Sequence, residues 1–258
     1  MAGMYLSAER LALANQAVLE TFEQCSIAWQ AIPQWDTGDP GQIRVADGKF
    51  APPGFILMAS QEEMFDVSLA QANGPTPDAL LTEVMAIARK LAKKVDDDIL
   101  PDLYTGAATS LATDDTLQNL QDQLVLARAT VEDAGYRAPS CLITNTVGLT
   151  KLTQFSGTTP ILKELLQAGN INALHRTSVL DPADADTRLV VIGRRRRIAQ
   201  GAAPEASPGE EPVDVAVSLP PSLEIDGETA GGNIQFTARI RYALRVTDAN
   251  GLVKINKP

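Results

Sequence analysis

The residues able to do chemistry are a single histidine, two cysteines and a few clusters of charge. His175 stands in "NALHRTS". The chain holds no GxSxG, HExxH, GxGxxG or phosphate-cradling P-loop segment that would give an imidazole or a backbone turn a reaction to serve. A lone histidine where an apolar run turns polar therefore reads as structural. Cys25 and Cys141 are too far apart in sequence for a CxxC or metal-ligand spacing, and both are expected as buried thiols. Glu62-Glu63 and Glu210-Glu211 fall in segments expected to be exposed loops, where nothing would drive two carboxylate pKa values apart. No catalytic, cofactor-binding or metal-binding residue is expected.

Two charge runs are sharper. Asp96, Asp97 and Asp98 lie toward the C-terminal end of a predicted helix, where the helix dipole already accumulates negative charge. Successive helical side chains diverge by about 100°, so the three cannot converge on one ion. A cationic partner and simple solvation both remain open. Arg194, Arg195, Arg196 and Arg197 either touch phosphate or pair with carboxylates such as Asp96–Asp98 on a neighbouring copy through forked bonds. The net charge of −10 favours the second reading, because gripping nucleic acid relies on excess cations.

The elements that must position these residues follow from periodicity. Ser7 caps a helix to about Gln24, with Leu11, Ala14, Val18 and Phe22 on one face. Pro33, Gly38, Pro40 and Gly41 then break regular structure, and Trp29 and Trp35 are read as anchors of this arm. "QIRVADGKF" and "GFILMASQEEMFDVSLA" are strand-like and separated by Asp47-Gly48, a hairpin signal. With little core pattern of its own, this stretch is expected to pack on something outside its domain.

Thr76, Pro77 and Asp78 open a helix that the stripe Leu80, Val84, Ile87, Leu91, Val95 carries to Leu100. A second helix spans Asp114 to Ala134 and stops at Gly135. "PSCLIT" is a buried strand, Asn145 or Thr146 caps the next helix, and Pro160 opens another. "TRLVVIG" and "VDVAVSL" read as strands around a loop from Gly201 to Pro212, and "NIQFTARIRYALRV" as one strand of fourteen residues. With 45% hydrophobic residues and 258 positions, the chain can bury a substantial core. Charges at Glu9 and Arg10 interrupt any signal peptide, and no run approaches the ~18 apolar residues of a membrane span, so a reducing cytosolic setting without membrane is expected.

The order of these parts carries a resemblance. The segments "AIARKLAKKVDDDILPDLYTGAA" (Ala86 to Ala108) and "APSCLITNTVGLTKLTQF…PILKELLQAGNINAL" (from Ala138), with the arm before them and the long strand after, resemble the shell proteins of tailed bacteriophages with the Hong Kong 97-type fold and the related encapsulins. The resemblance covers nearly the whole chain in element order. It implies an α+β fold in five parts: an N-terminal arm (1–42), an extended loop (43–75), a peripheral domain with a long spine helix (76–112), an axial domain (113–231), and a long strand returning to the periphery (232–258). It implies a non-enzymatic subunit that self-assembles through pentamers and hexamers into an icosahedral phage or prophage head. That head would enclose double-stranded DNA without sequence-specific binding, as a virion component assembled in the host cytoplasm. The alternative is an encapsulin-like compartment holding cargo protein, with Ser7–Gln24 available to grip cargo tails. A separate scaffold or decoration protein is compatible with either. The expected inter-subunit contacts are Arg194–Arg197, Asp96–Asp98, Lys49 and Phe50 at the loop tip, Trp29 and Trp35.

Overall fold

The computed structural model describes residues 6–49, 52, 54–136, 138–181, 186–194, 211–229 and 231–257. In chain order, α1 (Ala8–Cys25) and the short α2 (Ile27–Ala31) lead into β1 (Gln34–Asp36), then the hairpin of β2 (Arg44–Ala46) and β3 (Phe55–Leu57). β4 (Ala59–Ser68) and the one-turn α3 (Leu69–Ala72) precede α4 (Asp78–Thr105), β5 (Thr109–Ala112) and α5 (Leu117–Asp133). β6 (Ala138–Thr144), α6 (Thr146–Leu152), the small hairpin of β7 (Phe155–Ser156) and β8 (Thr159–Pro160), α7 (Leu162–Ala168) and β9 (Ile171–Arg176) follow. β10 (Arg188–Arg194), β11 (Val213–Thr229), β12 (Asn233–Val246) and β13 (Leu252–Asn256) complete the order.

Local chemistry sets most element ends. The Ser7 hydroxyl accepts from the Arg10 N–H at 3.3 Å and Asn145 Oδ1 from the Gly148 N–H at 2.8 Å, each satisfying a donor that the first helical turn leaves without a partner. Gly135, at φ +96°, closes α5 in a conformation that costs other residues a steric clash. Two prolines behave differently from their sequence reading. Pro101 sits inside α4, which runs 28 residues to Thr105, about 42 Å, rather than stopping at Leu100. Burial of Leu103 holds this last stretch against the missing N–H. Pro160 does not open α7 but closes the β7–β8 hairpin, and α7 starts after Ile161.

Two sheets organise the molecule. The four-stranded sheet has the order β1-β11-β12-β4, and the five-stranded sheet β5-β13-β10-β6-β9. α1 and α4 cover the inner face of the first, where Phe22, Leu91, Ile99, Phe236, Ile240 and Tyr242 join one core. The five-stranded sheet is walled on both sides. Val190, Ile192, Cys141 and Ile143 point into that first core, while Leu189, Val191 and Leu142 point into a second core with Leu120, Leu124 and Val131 of α5. Alternation along β10 thus serves two cores, which is why "LVVI" is an unbroken apolar run.

The sheets also redraw the expected boundaries. Residues 213–229, expected in the axial domain, form β11 and pair along β12 beside the spine helix. Conversely β13, expected at the periphery, lies between β5 and β10 in the other sheet. Within the expected loop 43–75, β4 pairs with β12 over ten positions, from Asn233↔Ser68 to Tyr242↔Ala59, so of the strands among the described residues of this stretch only β2 and β3 lie outside the two main sheets.

Candidate functional site

The acidic run is split three ways by the helix geometry. Asp96 is buried and accepts the Ser26 hydroxyl at 2.7 Å and the Ile27 and Ala28 N–H groups at 2.9 Å each, so its carboxyl caps α2 from the side of α4. Burial pushes its pKa up, although these three donors pull the other way. The expectation that Asp96 faces a neighbouring copy is therefore corrected: its oxygens are occupied inside the chain. Asp97 pairs with Lys93 at 2.7 Å on the exposed side, and Asp98 accepts the Tyr242 hydroxyl at 2.7 Å. Burial and the Asp98 carboxylate together raise the Tyr242 pKa, fixing its phenol as the donor.

Arg194 ends β10 and donates to the carbonyl of Ala31 at the end of α2. It also lies beside Cys141 and His175. Burial pushes the Cys141 thiol up to about 11 against the pull of Arg194, the reverse of what an activated thiolate needs. Burial, then Arg194, lowers the His175 pKa. Cys25, expected to be buried, is exposed at the end of α1. Arg195, Arg196, Arg197 and Phe50 lie outside the described residues. Among the described residues, no group of three or more His, Cys, Asp or Glu could hold a metal, and no helix is long and apolar enough to cross a membrane.

Both tryptophans have partners within the chain. Trp29 packs edge-on against Phe22, with ring centroids 5.2 Å apart. Trp35 lies under Arg245, whose guanidinium sits 4.1 Å from the ring centroid. Arg245 is buried. It forks onto Asp214 with bonds of 2.7 and 2.6 Å and sends a third to the carbonyl of Ala46 at 3.2 Å. The sequence carries no local signal for this role, because the cover arrives from β1 and the hairpin, about two hundred positions earlier.

That cover defines the most distinctive surface of the molecule. Val45 of the hairpin is buried on Ala216 and Ala243, with Ile56 and Met58 alongside, so the hairpin lies across the outer face of its own four-stranded sheet. The loop was expected to pack on something outside its domain; one face packs within the chain, here. The other face does not. Phe55 and Leu57 are 72% and 77% exposed, with Arg44 over the Phe55 ring, and Ile43, opposite Met58 at the foot of the hairpin, is 64% exposed. At the turn, Asp47 accepts from the N–H groups of Lys49 and Gly54, both at 3.1 Å, and these bonds depress its pKa. Lys49 itself is exposed.

The fold has counterparts among solved structures. A virus-like particle protein from Pyrococcus furiosus matches with a TM-score of 0.68 and 15% identity, over 96% of this chain and 98% of that one. A phage-related protein from Bordetella bronchiseptica RB50 matches with a TM-score of 0.68 and 9% identity, over 95% and 96% of the two chains. The holo-SrpI encapsulin complex of Synechococcus elongatus PCC 7942 matches with a TM-score of 0.58 and 11% identity, over 91% and 88%. No family model and no curated relative matches the chain. What is shared at such identities is the architecture. It is the α+β, Hong Kong 97-type fold that the element order implied.

Proposed function

We propose that the chain is a shell subunit that assembles with copies of itself into a closed icosahedral container, the head of a phage or prophage enclosing double-stranded DNA. One observation carries this reading: a hairpin fastened to its own sheet by one face presents two large apolar side chains, Phe55 and Leu57, on the other. Two such residues side by side on a short, braced ribbon, with Ile43 also exposed at its foot, form an apolar patch rather than the scattered exposure of an ordinary surface. Covering them with another copy removes that patch from water. The likeness over nearly the full chain to a virus-like particle protein supports the same conclusion.

Assembly of this kind needs only modest contacts. A standard interface of roughly 1,600 Å² yields limited net affinity after the entropy of association is charged. A subunit held by several neighbours at once gains through effective concentration instead, so closed shells form cooperatively from weak pairs. The hairpin and the surface that receives it differ, which makes the contact head-to-tail and able to generate rings.

A compartment holding cargo protein is the second reading. α1 favours it specifically, because Leu13 and Leu19, on either flank of its buried stripe, remain exposed. The deciding experiment is sedimentation and negative-stain microscopy of the purified chain, expected to show uniform closed particles. A species of single-chain mass at every concentration and buffer would overturn both readings. Particles isolated from the native source would then separate them: nuclease-protected DNA means a viral head, a captive protein means a compartment.

A further inference from the structure

We propose that α2 is a strut that couples the two sheet systems into one rigid tile, held at each end by an opposite charge from a different layer. The segment is five residues long, about 7.5 Å of helix. Its N-terminal end rests on Asp96 of α4, the helix that covers the four-stranded sheet. Its C-terminal end, the carbonyl of Ala31, rests on Arg194 at the end of β10, the middle strand of the five-stranded sheet. Carboxylate at the positive end of the peptide dipoles and guanidinium at the negative end is the favourable polarity at both termini.

The surroundings make these contacts expensive to lose. Ser26, Ala28 and Ala31 are fully buried, so releasing either end leaves main-chain groups without water or partner. The Ser26 hydroxyl donates to Asp96 and accepts from the Trp29 N–H, which ties the first turn of α2 to the same carboxyl. A single turn of helix is not stable alone. Once one end lets go, the turn that presents the other end loses its reason to be helical. Asp96 and Arg194 sit at opposite ends of α2 and no bond joins them, yet each depends on the other through it.

This dependence is measurable on the dissociated subunit, independently of whether shells form. Asp96→Asn and Arg194→Gln are each expected to raise the unfolding constant about tenfold or more in urea titrations. The double variant is expected to fall short of their product by at least about fivefold, because the second substitution acts on a turn already released. Asp96→Asn combined with Arg128→Gln, which breaks a pair with Glu132 elsewhere, should be multiplicative. If Asp96→Asn does not fold, Ser26→Ala replaces it and should show the same shortfall with Arg194→Gln. A product that is simply multiplicative would overturn the strut and leave two unrelated anchors.

Discussion

β10 and the β2–β3 hairpin are both apolar ribbons, and they solve opposite problems. In β10, Leu189 to Ile192 are buried on both faces, between the α5 core and the spine-helix core. In the hairpin, Val45 is buried while Phe55 and Leu57 stand in solvent. The first ribbon spends all its apolar surface on holding one chain together. The second buries half and leaves half exposed, the half that the proposed shell would cover with another copy. On the proposed function, stability and association fall to separate residues, and substitutions should separate them too.

The largest expected effect lies where the hairpin is fastened. Asp214→Ala leaves the buried Arg245 without its carboxylate and should destabilise the subunit by ~3–5 kcal/mol, read by chemical denaturation. A cost near zero would mean that Arg245 swings out to water and that the hairpin is not anchored there. Next comes Leu189→Ala in β10, expected to cost ~2–5 kcal/mol through the cavity it opens between strand and α5, by the same measurement.

Phe55→Ser with Leu57→Ser sharpens the contrast from the other side. Subunit stability should stay within about 0.5 kcal/mol, since both side chains already face water. Particle formation in sedimentation should nevertheless fail. Normal particles from this variant would remove the hairpin's outer face from the assembly proposal.

The smallest effect is a pH dependence. Burial lowers the His175 pKa below its usual 6.5, so the unfolded chain binds the proton more readily than the folded one. The contribution of His175 to stability is fully present above its unfolded pKa of 6.5 and is lost as pH falls toward the lowered folded value. His175→Gln should flatten that decline below pH 6.5, as thermal melts across a pH series would show.

Much of this was written in local pattern. The stripe Ala14, Val18, Phe22 and the stripe Leu80, Val84, Ile87, Leu91 are buried as their spacing requires, because a helix can hide only one face. Alternation fixed the inner side of β12 from Ile234 to Tyr242 for the same reason in a strand. β11 was not readable in full: "VDVAVSL" ends at Pro220-Pro221, whereas the strand continues through them to Thr229. The ladder to β12 shifts between Leu219 and Ser222, and β1 has already ended at Asp36 opposite Val217, so the missing N–H groups fall at an irregularity on a free edge.

What the sequence determined alone was therefore the set of amphipathic pieces, their order, and through that order the shell-type fold. Which carboxylate turns inward at Asp96, which arginine is covered at 245, and which half of the hairpin stays exposed were decided only by tertiary structure. Periodicity records how a segment relates to its own axis. Burial of a particular charge depends on what another segment, distant in the chain, lays over it.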